Sequence, residues 1–375
     1  MNKIPFIRPH LTGREMDNIG QALASGQMVG DGPFTKKCEA YLRESTGTRQ
    51  ALLTHSCTAA LELSALLLDL QPGDEVIMPT YTFVSTANAF VLRGAVPVFV
   101  DVRPDTINLD ENLIEAAITP RTKAIAPVHY AGVSCAMDEI NAIAKAHNLH
   151  VVEDAAQGIG ATYRGQALGT LGSLGALSFH ATKNVISGEG GALLVNDENL
   201  VERAEVIREK GTDRSRFIRG EVDKYTWQDI GSSFLPSDIT AAMLMAQLPE
   251  TDAINAKRLA LWSRFHAAFA DAERAGRFRR PGLPQDCGGN AHIYYLVFNS
   301  LDEREAARAK LADAGIAAVT HYVPLHLSPG AQRFGRSSGD MPVAMSVADG
   351  LLRLPIYPDL TAEEEARIID TVLSL

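Results

Sequence analysis

Residues 151–157 read VVEDAAQ, an apolar start followed by two acids, two alanines and an amide. A short apolar run bounded by helical stretches is typical of a strand that is buried on both faces. Strands of this kind that alternate with helices form a mostly parallel sheet, and such sheets bind ligands beyond the carboxyl ends of their strands. We therefore expect Asp154 and Gln157 to face a binding site. A solvated loop acid and a polar residue near a helix start are the plainer alternatives.

The alternation of apolar runs and helical stretches extends from about residue 50 to residue 200. The sequence predicts strands over residues 50–54, 75–79, 96–100, 124–128, 151–152, 176–179 and 192–195. It predicts helices over residues 58–70, 85–93 and 137–147. The expected fold class is therefore α/β, with a large, mixed and mostly parallel sheet.

Beyond residue 199 the predicted elements are longer and more helical. We expect a charged helix over residues 199–211, a long polar loop over residues 212–227, and helices over residues 237–248 and 251–274. The last third alternates strand and helix over residues 292–298, 304–314, 317–322 and 362–374. Since a proline ends a helix, we place a domain boundary at Pro249. A large domain with its N-terminal arm would span residues 1–249, and a smaller C-terminal α/β domain residues 250–375.

Bulk composition narrows the class of protein. A chain of 375 residues exceeds one typical core, and 46% hydrophobic with 21% charged residues is ordinary for a soluble globular protein. The net charge of −10 disfavours a nucleic-acid or anionic membrane surface. The four cysteines form no CxxC pair, so we expect no metal site, and they suit a reducing compartment. Without an apolar signal segment, we expect the protein in the cytoplasm.

Lys183 lies in residues 177–184, LSFHATKN, and the glycine-rich run SGEGG follows at residues 187–191. Closely spaced glycines permit unusual φ angles and a close approach of backbone to a ligand. A lysine is usually a solvated surface group, but burial in such a pocket lowers its pKa and favours bonding to an aldehyde. Together with Asp154, Lys183 predicts a site for pyridoxal 5'-phosphate (PLP). The lysine would bond the aldehyde, and the carboxylate would keep the pyridine nitrogen protonated.

Two further segments carry candidate cofactor contacts. Residues 54–61, THSCTAAL, join a strand to a buried helix, whose free N–H groups and dipole favour an anion such as a phosphate. An ordinary helix cap is the simpler interpretation of that segment. Phe83 follows the strand predicted at residues 75–79, where it would stack on a pyridine ring or, with equal weight, pack in the core.

Longer stretches of the chain resemble the DegT/DnrJ/EryC1/StrS family of nucleotide-sugar aminotransferases, and the resemblance covers essentially the whole length. They are residues 56–59, SCTA; 71–79, QPGDEVIMP; 81–90, YTFVSTANAF; and 222–227, VDKYTW. The resemblance implies the PLP-dependent transferase fold type I, which is that of aspartate aminotransferase. It also implies a homodimer in which each active site borrows residues from the partner, with residues 212–227 and the region around Ser233 as the donated parts.

The resemblance assigns a role to each candidate residue. Lys183 bonds the cofactor and acts as general base and acid, Asp154 pairs with the pyridinium nitrogen, and Gln157 pairs with the ring hydroxyl. The remaining cofactor contacts are a stacking ring and a phosphate cradle, made by Phe83 and by Cys57, Thr58 and Ser178. The substrate-side residues are His180, Lys224, His321 and Tyr322, and a packed or surface position is the alternative for each histidine.

One position departs from the family pattern Gly-x-Asn-x-Arg, in which the asparagine reaches the phosphate in the partner's site. Residues 231–235 read GSSFL, so Ser233 replaces the asparagine and Leu235 replaces the arginine. We expect Ser233 to keep a shorter hydrogen bond, or a water to fill the space, and no loss of function.

The resemblance also implies a reaction. L-Glutamate would give its amino group to the 4-keto carbon of dTDP-4-dehydro-6-deoxy-D-glucose, which yields dTDP-4-amino-4,6-dideoxy-D-galactose and 2-oxoglutarate. The product would serve cell-surface polysaccharide biosynthesis, here that of the enterobacterial common antigen. The same chemistry on another nucleotide keto-sugar, or with an equatorial amine, stays open because no residue pattern specifies the sugar.

Three other functions compete with this one. A sugar 3-dehydratase of the same family would have histidine in place of Lys183. A cysteine desulfurase would need a mobile catalytic cysteine, for which Cys287 is the only candidate. A regulator that binds PLP or a nucleotide sugar without catalysis would be expected to carry a basic DNA-binding helix, and the sequence shows none.

Overall fold

The computed structural model describes residues 2–375. Its strands, in chain order, are β1 (Gln50–Thr54), β2 (Glu75–Pro79), β3 (Val96–Val100), β4 (Thr122–Ile125), β5 (His150–Asp154), β6 (Thr162–Tyr163), β7 (Gln166–Ala167), β8 (Leu174–Ser178), β9 (Gly191–Val195), β10 (Cys287–Gly288), β11 (Tyr294–Val297), β12 (Arg336–Ser337) and β13 (Leu351–Leu354). Its α-helices are α1 (Glu15–Ser25), α2 (Pro33–Thr46), α3 (Cys57–Leu67), α4 (Val84–Val91), α5 (Ile114–Ala117), α6 (Met137–His147), α7 (Val201–Arg208), α8 (Arg214–Ile218), α9 (Asp238–Gln247), α10 (Thr251–Ala268), α11 (Ala270–Arg274), α12 (Leu301–Asp313), α13 (Pro329–Phe334), α14 (Pro342–Gly350) and α15 (Ala362–Leu373). No helix within residues 2–375 combines the length and the apolar character needed to cross a membrane.

An eight-stranded sheet forms the centre of the molecule, in the order β1-β9-β8-β5-β4-β2-β3-β12. From β8 to β12 neighbouring strands run parallel, whereas β9 is reversed and pairs antiparallel with both β1 and β8. Strands such as β2 and β9 are buried along their whole length, as strands covered by helices on both faces must be. The mixed, mostly parallel sheet that the apolar runs predict is confirmed.

Two hydrophobic clusters cover the two faces of this sheet. Along β2, Val76 and Met78 belong to one cluster and Ile77 to the other, as the alternation of side chains along a strand requires. A third cluster joins α10, α12 and α15 to the two-stranded sheet of β11 and β13. Ile4 of the N-terminal segment packs into this third cluster. Residues beyond position 250 also reach the first cluster, and the domain boundary at Pro249 stays a prediction.

The most accurate predictions are the short apolar strands. Strands β1, β2 and β3 and helix α6 begin and end at the predicted residues. The sequence patterns missed α1 and α2, which precede the sheet. Helix α2 nevertheless carries ordinary end signals, since it starts with Pro33 and stops at Gly47, whose φ is 77°.

The predicted strand at residues 317–322 is wrong. This segment pairs at single residues only, because Ala317 N donates to Ile4 O (3.0 Å) and Val319 forms an isolated bridge with Arg353. After Val319 the chain separates from β13, and His321 and Tyr322 line the wall of a cavity. The segment therefore pairs with β13 at Val319 alone and forms no ladder of strands.

One predicted loop and one predicted helix also need correction. The predicted loop at residues 212–227 contains the short helix α8, whose end is held by an ion pair between Arg219 and Glu205 (2.8 Å). The predicted helix at residues 251–274 is interrupted at Phe269, whose ring is buried in the third cluster. Pro249 lies inside a 3₁₀ turn that connects α9 to α10, where a helix start tolerates the missing N–H.

Glu75 anchors the C-terminal part of the chain to the edge of the sheet. Its side chain is fully buried at the start of β2 and accepts hydrogen bonds from Arg336 Nε (3.0 Å) and Nη2 (2.7 Å), Arg121 Nη2 (2.6 Å) and Thr119 Oγ1 (2.8 Å). The hydrogen bonds from Arg336 are the largest cause that lowers the pKa of Glu75, to about 2 from 4.5. Because Arg336 begins β12, this carboxylate ties that strand to the large sheet.

We predict that Glu75→Gln lowers the free energy of unfolding by about 2–3 kcal/mol at pH 7, since charge-assisted hydrogen bonds are lost. The folded-state pKa lies below the unfolded one, so the contribution is complete above pH 4.5 and is lost as the pH falls toward 2. Urea unfolding at several pH values measures the difference, with Glu363→Gln on the exposed face of α15 as control. A difference that does not shrink in acid would contradict this assignment.

Candidate active site

A cavity of about 550 Å³ opens where the carboxyl ends of β1, β2, β5 and β8 meet. This is the position expected for a ligand site on a mostly parallel sheet. The predicted site residues that line it are Cys57, Thr58, Phe83, Asp154, Gln157, Ser178, His180, Lys183, His321 and Tyr322. The order of the strands therefore brings side chains that follow four strands to this cavity, where they meet side chains from the C-terminal third of the chain.

Lys183 lies on the tight connection between β8 and β9. Its backbone N donates to His180 O (2.9 Å), and Ala181 N donates to Gly188 O (2.8 Å), where Gly188 has a φ of 83°. Burial lowers the pKa of the Lys183 amine, and the positive charge of Arg353 acts in the same direction. The turn therefore presents an amine that loses its proton more readily than a surface lysine.

Asp154 ends β5 with its carboxylate buried and hydrogen-bonded. Oδ2 accepts from Thr86 Oγ1 (2.6 Å), and Oδ1 accepts from Ala156 N (3.1 Å). Thr86 is fully buried in α4 and lies 3.0 Å from the hydroxyl of Thr82. Sequence reasoning missed Thr86, although Thr82 and Thr86 are four residues apart, a spacing that places two side chains together at a helix start.

Gln157 has a fixed orientation. Its Oε1 accepts from Ala131 N (2.7 Å), and its Nε2 donates to Tyr322 OH (3.2 Å). Ala131 adopts a φ of 60°, in the left-handed region that a non-glycine residue seldom occupies. The amide of Gln157 therefore connects the end of β5 to the segment that carries Tyr322.

His321 and Tyr322 form a stacked pair whose ring centroids are 3.7 Å apart. His321 Nδ1 lies 2.7 Å from Tyr130 OH. Burial lowers the pKa of His321 well below its ordinary value, and Arg353 adds to that effect. Since burial also raises the pKa of Tyr130, the phenol keeps its proton and the imidazole is neutral.

A close approach of backbone segments, here called the cradle, forms where β9 passes between β1 and β8. Gly191 pairs with both Thr54 and Ser178, the last residues of those two strands. A Cβ on Gly191 would collide with the backbone of Ser56 and Cys57. The close approach places Ser178 beside the start of α3, whose first N–H groups have no partner within the helix.

These residues fit PLP. The start of α3 and Ser178 offer an anion site, Asp154 offers a buried carboxylate, and Lys183 offers an amine of lowered pKa in the same cavity. Phe83 is 56% exposed at the cavity, so the alternative that it packs in the core is excluded. The individual roles of these residues stay predictions.

Two predicted site residues lie outside the cavity of their own chain. Lys224 is exposed on the segment that follows α8, and Ser233 is exposed beside Glu209, with which its backbone forms a bridge. Their predicted contacts with cofactor and substrate therefore require a second subunit. His180 does line the cavity, where its Nδ1 lies 2.9 Å from Thr182 Oγ1.

The N-terminal segment also lines the cavity, a contribution that the sequence predicted only as an arm. Residues 6–10 reach its wall, held by Arg8 with Glu364 (3.2 Å) and by His10 with Asp359 (2.8 Å). Arg353 of β13 is a second residue that sequence reasoning missed. Its signal was an arginine within the otherwise apolar run at residues 350–356.

The desulfurase alternative finds no support in the described residues. Cys287 lies in β10, paired with Tyr163 outside the cavity, and burial raises the pKa of its thiol. Within residues 2–375 no three His, Cys, Asp or Glu side chains are placed to hold a metal ion.

Comparison with known proteins establishes the class. The family description "DegT/DnrJ/EryC1/StrS aminotransferase family" matches residues 9–373, and the chain belongs to that family. It is 34% identical to the spore coat polysaccharide biosynthesis protein SpsC of Bacillus subtilis strain 168, over 98% of this chain and 96% of SpsC.

Solved structures agree with the family assignment. DesV of S. venezuelae matches with a TM-score of 0.90 and 34% identity, over 100% of this chain and 98% of DesV. The PLP-form of the putative sugar aminotransferase Spr1654 from Streptococcus pneumoniae matches with a TM-score of 0.88 and 30% identity, over 98% and 97% of the two chains. The protein is thus a PLP-dependent sugar aminotransferase with the type I transferase fold.

We predict that Gly191→Ala weakens PLP binding by about tenfold or more, since the added Cβ must displace the Ser56–Cys57 turn and such overpacking costs about 1–3 kcal/mol. Titration of the cofactor-free protein with PLP, followed by absorbance, measures the affinity. Gly20→Ala is the matched control, because a Cβ there meets open space. Equal affinities of the two variants would show that the cradle does not hold the phosphate.

Proposed function

We propose that this protein transfers the amino group of L-glutamate to the 4-keto carbon of dTDP-4-dehydro-6-deoxy-D-glucose. The products are dTDP-4-amino-4,6-dideoxy-D-galactose and 2-oxoglutarate. The observation that carries the transamination is the amine of Lys183, buried and of lowered pKa, in one cavity with the buried carboxylate of Asp154.

The particular sugar rests on the sequence stretches at residues 71–79 and 222–227 and on the family. SpsC, a relative over nearly the full length, is named for the biosynthesis of a spore coat polysaccharide, which supports a sugar destined for a cell-surface polysaccharide. We assign the product to the enterobacterial common antigen on the same grounds of resemblance.

When bound, PLP supplies an aldehyde that receives the amino group and a ring that accepts electrons. Lys183 Nζ takes a proton from the α-carbon of L-glutamate in the first half of the reaction and delivers a proton to C4 of the sugar in the second. Burial lowers the pKa of this amine, which favours the neutral form that acts as a base. The carboxylate of Asp154, held by hydrogen bonds from Thr86 and Ala156, would pair with the ring nitrogen.

Other residues orient and enclose the reactants. Gln157 would hold the hydroxyl of the cofactor ring, and its hydrogen bond to Tyr322 OH fixes that residue on the substrate side of the cavity. His321 Nδ1 accepts a hydrogen bond from Tyr130 OH, so the neutral ring carries its hydrogen on Nε2, which can donate to a sugar oxygen. The exposed ring of Phe83 lies 6.2 Å from that of Tyr322 and closes the other side.

We also propose that the active protein is a homodimer with shared sites. The segment around Lys224 exposes large apolar side chains, among them Trp227 at 82%, and the rings of Phe217 and Tyr225 lie 5.7 Å apart on it. An exposed apolar surface of this kind is typical of a contact between subunits. Sedimentation that shows a stable, active monomer would refute this part of the proposal.

We predict that Lys183→Ala lowers turnover by about three orders of magnitude or more, because both proton transfers lose their base. Turnover is followed as release of 2-oxoglutarate with PLP added. Lys145→Ala, an exposed lysine on α6, is the control and should keep full activity. A substantial residual rate in Lys183→Ala would exclude its role.

The sugar is identified by the NMR spectrum of the product formed from dTDP-4-dehydro-6-deoxy-D-glucose and L-glutamate. We expect an axial amine at C4, which defines the galacto configuration. An equatorial amine, or no product from this sugar while L-glutamate still reacts, would overturn the substrate assignment and leave the aminotransferase class intact.

A further inference from the structure

Glu153 and His129 form a fully buried polar pair that the reaction proposed above does not use. Glu153 directly precedes Asp154 on β5, and because side chains alternate along a strand, the two carboxylates point to opposite faces of the sheet. His129 Nε2 lies 2.8 Å from Glu153 Oε2, and both side chains are closed to solvent. Neither residue lines the active-site cavity. Burial of such groups is costly unless their hydrogen bonds are complete.

The hydrogen bonds of this pair are complete. His129 Nδ1 accepts from Cys135 N (3.2 Å), so the ring is neutral and carries its hydrogen on Nε2, which donates to Glu153. The carboxylate accepts three further hydrogen bonds, at 2.6 to 2.8 Å, from the backbone N–H groups of Gly169, Leu171 and Gly172. Four donors on two oxygens fix the carboxylate in one orientation. Glu153 and His129 are here called the clamp.

The clamp holds the turn at residues 130–132, which directly follows His129. The backbone N of His129 donates to Asp154 O (3.1 Å), so both the side chain and the backbone of the histidine attach this turn to β5. Ala131, in the middle of the turn, has a φ of 60°. A left-handed alanine persists only where its surroundings hold it, and the clamp is part of those surroundings.

The turn in this position orients the side chain of Gln157. Ala131 N donates to Gln157 Oε1 (2.7 Å), which leaves Nε2 as the donor to Tyr322 OH (3.2 Å). The backbone of the turn also approaches closely, since a Cβ on Gly132 would lie 2.9 Å from Gln157 O. Without the N–H group of Ala131 the amide could rotate and exchange its donor and its acceptor. The orientation of Gln157, which lines the cavity, therefore depends on a pair that does not.

We propose that Glu153 and His129 are positioning residues that act on the cofactor through Gln157. The inference rests on the transamination proposed above, in which Gln157 holds the hydroxyl of the PLP ring. The Nε2 group carries two hydrogens, of which Tyr322 OH takes one and the other is available for the ring oxygen. Loss of the clamp lets the turn relax and the amide rotate. The hydrogen bond to the ring then weakens, although no residue in contact with the cofactor has changed.

A purely structural role is the alternative, and Glu75 provides the matched comparison. Like Glu153, it is a fully buried carboxylate on a strand of the large sheet and accepts four hydrogen bonds. It does not line the cavity. Glu75→Gln and Glu153→Gln each place an amide N–H group where the carboxylate accepts, so both should lower the stability of the fold. Only Glu153→Gln should change the binding of PLP.

The test is a double-mutant cycle of Glu153→Gln with Gln157→Ala, measured as PLP binding to the cofactor-free protein. Absorbance gives the dissociation constant and the wavelength maximum of bound PLP, which responds to the hydrogen bond on the ring hydroxyl. Neither L-glutamate nor a sugar takes part, so a protein that binds PLP but transfers no amino group would refute the proposed function and leave this measurement valid. His129→Gln is the conservative variant, because its amide nitrogen can still donate to Glu153.

We expect Gln157→Ala to weaken PLP binding by about tenfold and Glu153→Gln by about three- to tenfold, with wavelength shifts in the same direction. In the Gln157→Ala background, Glu153→Gln should weaken binding by less than about twofold, because the clamp acts through that amide. His129→Gln should keep more of the affinity than Glu153→Gln, and Glu75→Gln should match the wild type.

Circular dichroism shows whether each variant folds. Should Glu153→Gln not fold, His129→Gln takes its place in the cycle, and its loss of affinity should likewise disappear in the Gln157→Ala background. Additive effects of the two substitutions, an unchanged PLP affinity in either single variant, or an equal loss in Glu75→Gln would overturn the assignment.

Discussion

Burial of the Lys183 amine beside the Asp154 carboxylate is the constraint on which the architecture of the site depends. A charged group removed from water without partners is strongly destabilised, so each must be either paired or neutral. The protein meets this demand differently for the two groups. Asp154 receives hydrogen bonds from Thr86 and from a backbone N–H, whereas burial shifts Lys183 toward its neutral amine. Burial outweighs the charge of Asp154, which by itself would raise the pKa of Lys183.

The reversal of β9 is what allows the sheet to build the rest of the cradle. A parallel strand in that place would begin at the opposite edge, away from the cavity. The antiparallel strand instead starts at Gly191, between the last residues of β1 and β8. Because Gly191 has no Cβ, the start of α3 and Ser178 can lie close to one another. The one antiparallel strand inside the large sheet, β9, therefore begins at the point where the structure offers an anion site.

The C-terminal third completes the cavity from the other side. His321, Tyr322 and Arg353 are supplied by an extended segment and a two-stranded sheet, packed against the third cluster that also contains Ile4. The rings of Tyr81, Tyr130, Tyr322 and His321 gather there with centroid distances of 3.7 to 6.4 Å, which creates an apolar wall around one guanidinium. An ionic group in such surroundings has a stronger electrostatic influence than it would have in water.

The sequence by itself determined the strands of the large sheet except β12, the loop with Lys183 and the acid at the end of β5, since apolar periodicity and glycine spacing are local signals. It failed at residues 317–322, where Val319 alone pairs with β13, and at Phe269, where packing interrupts a helix. Only the tertiary structure decided which groups meet. Thr86 and Asp154 are 68 positions apart, and Tyr130 and His321 are 191 apart, yet both pairs are hydrogen-bonded. The physical reason is that such contacts depend on strand order and crossovers, which join distant segments and leave no periodic trace in either one.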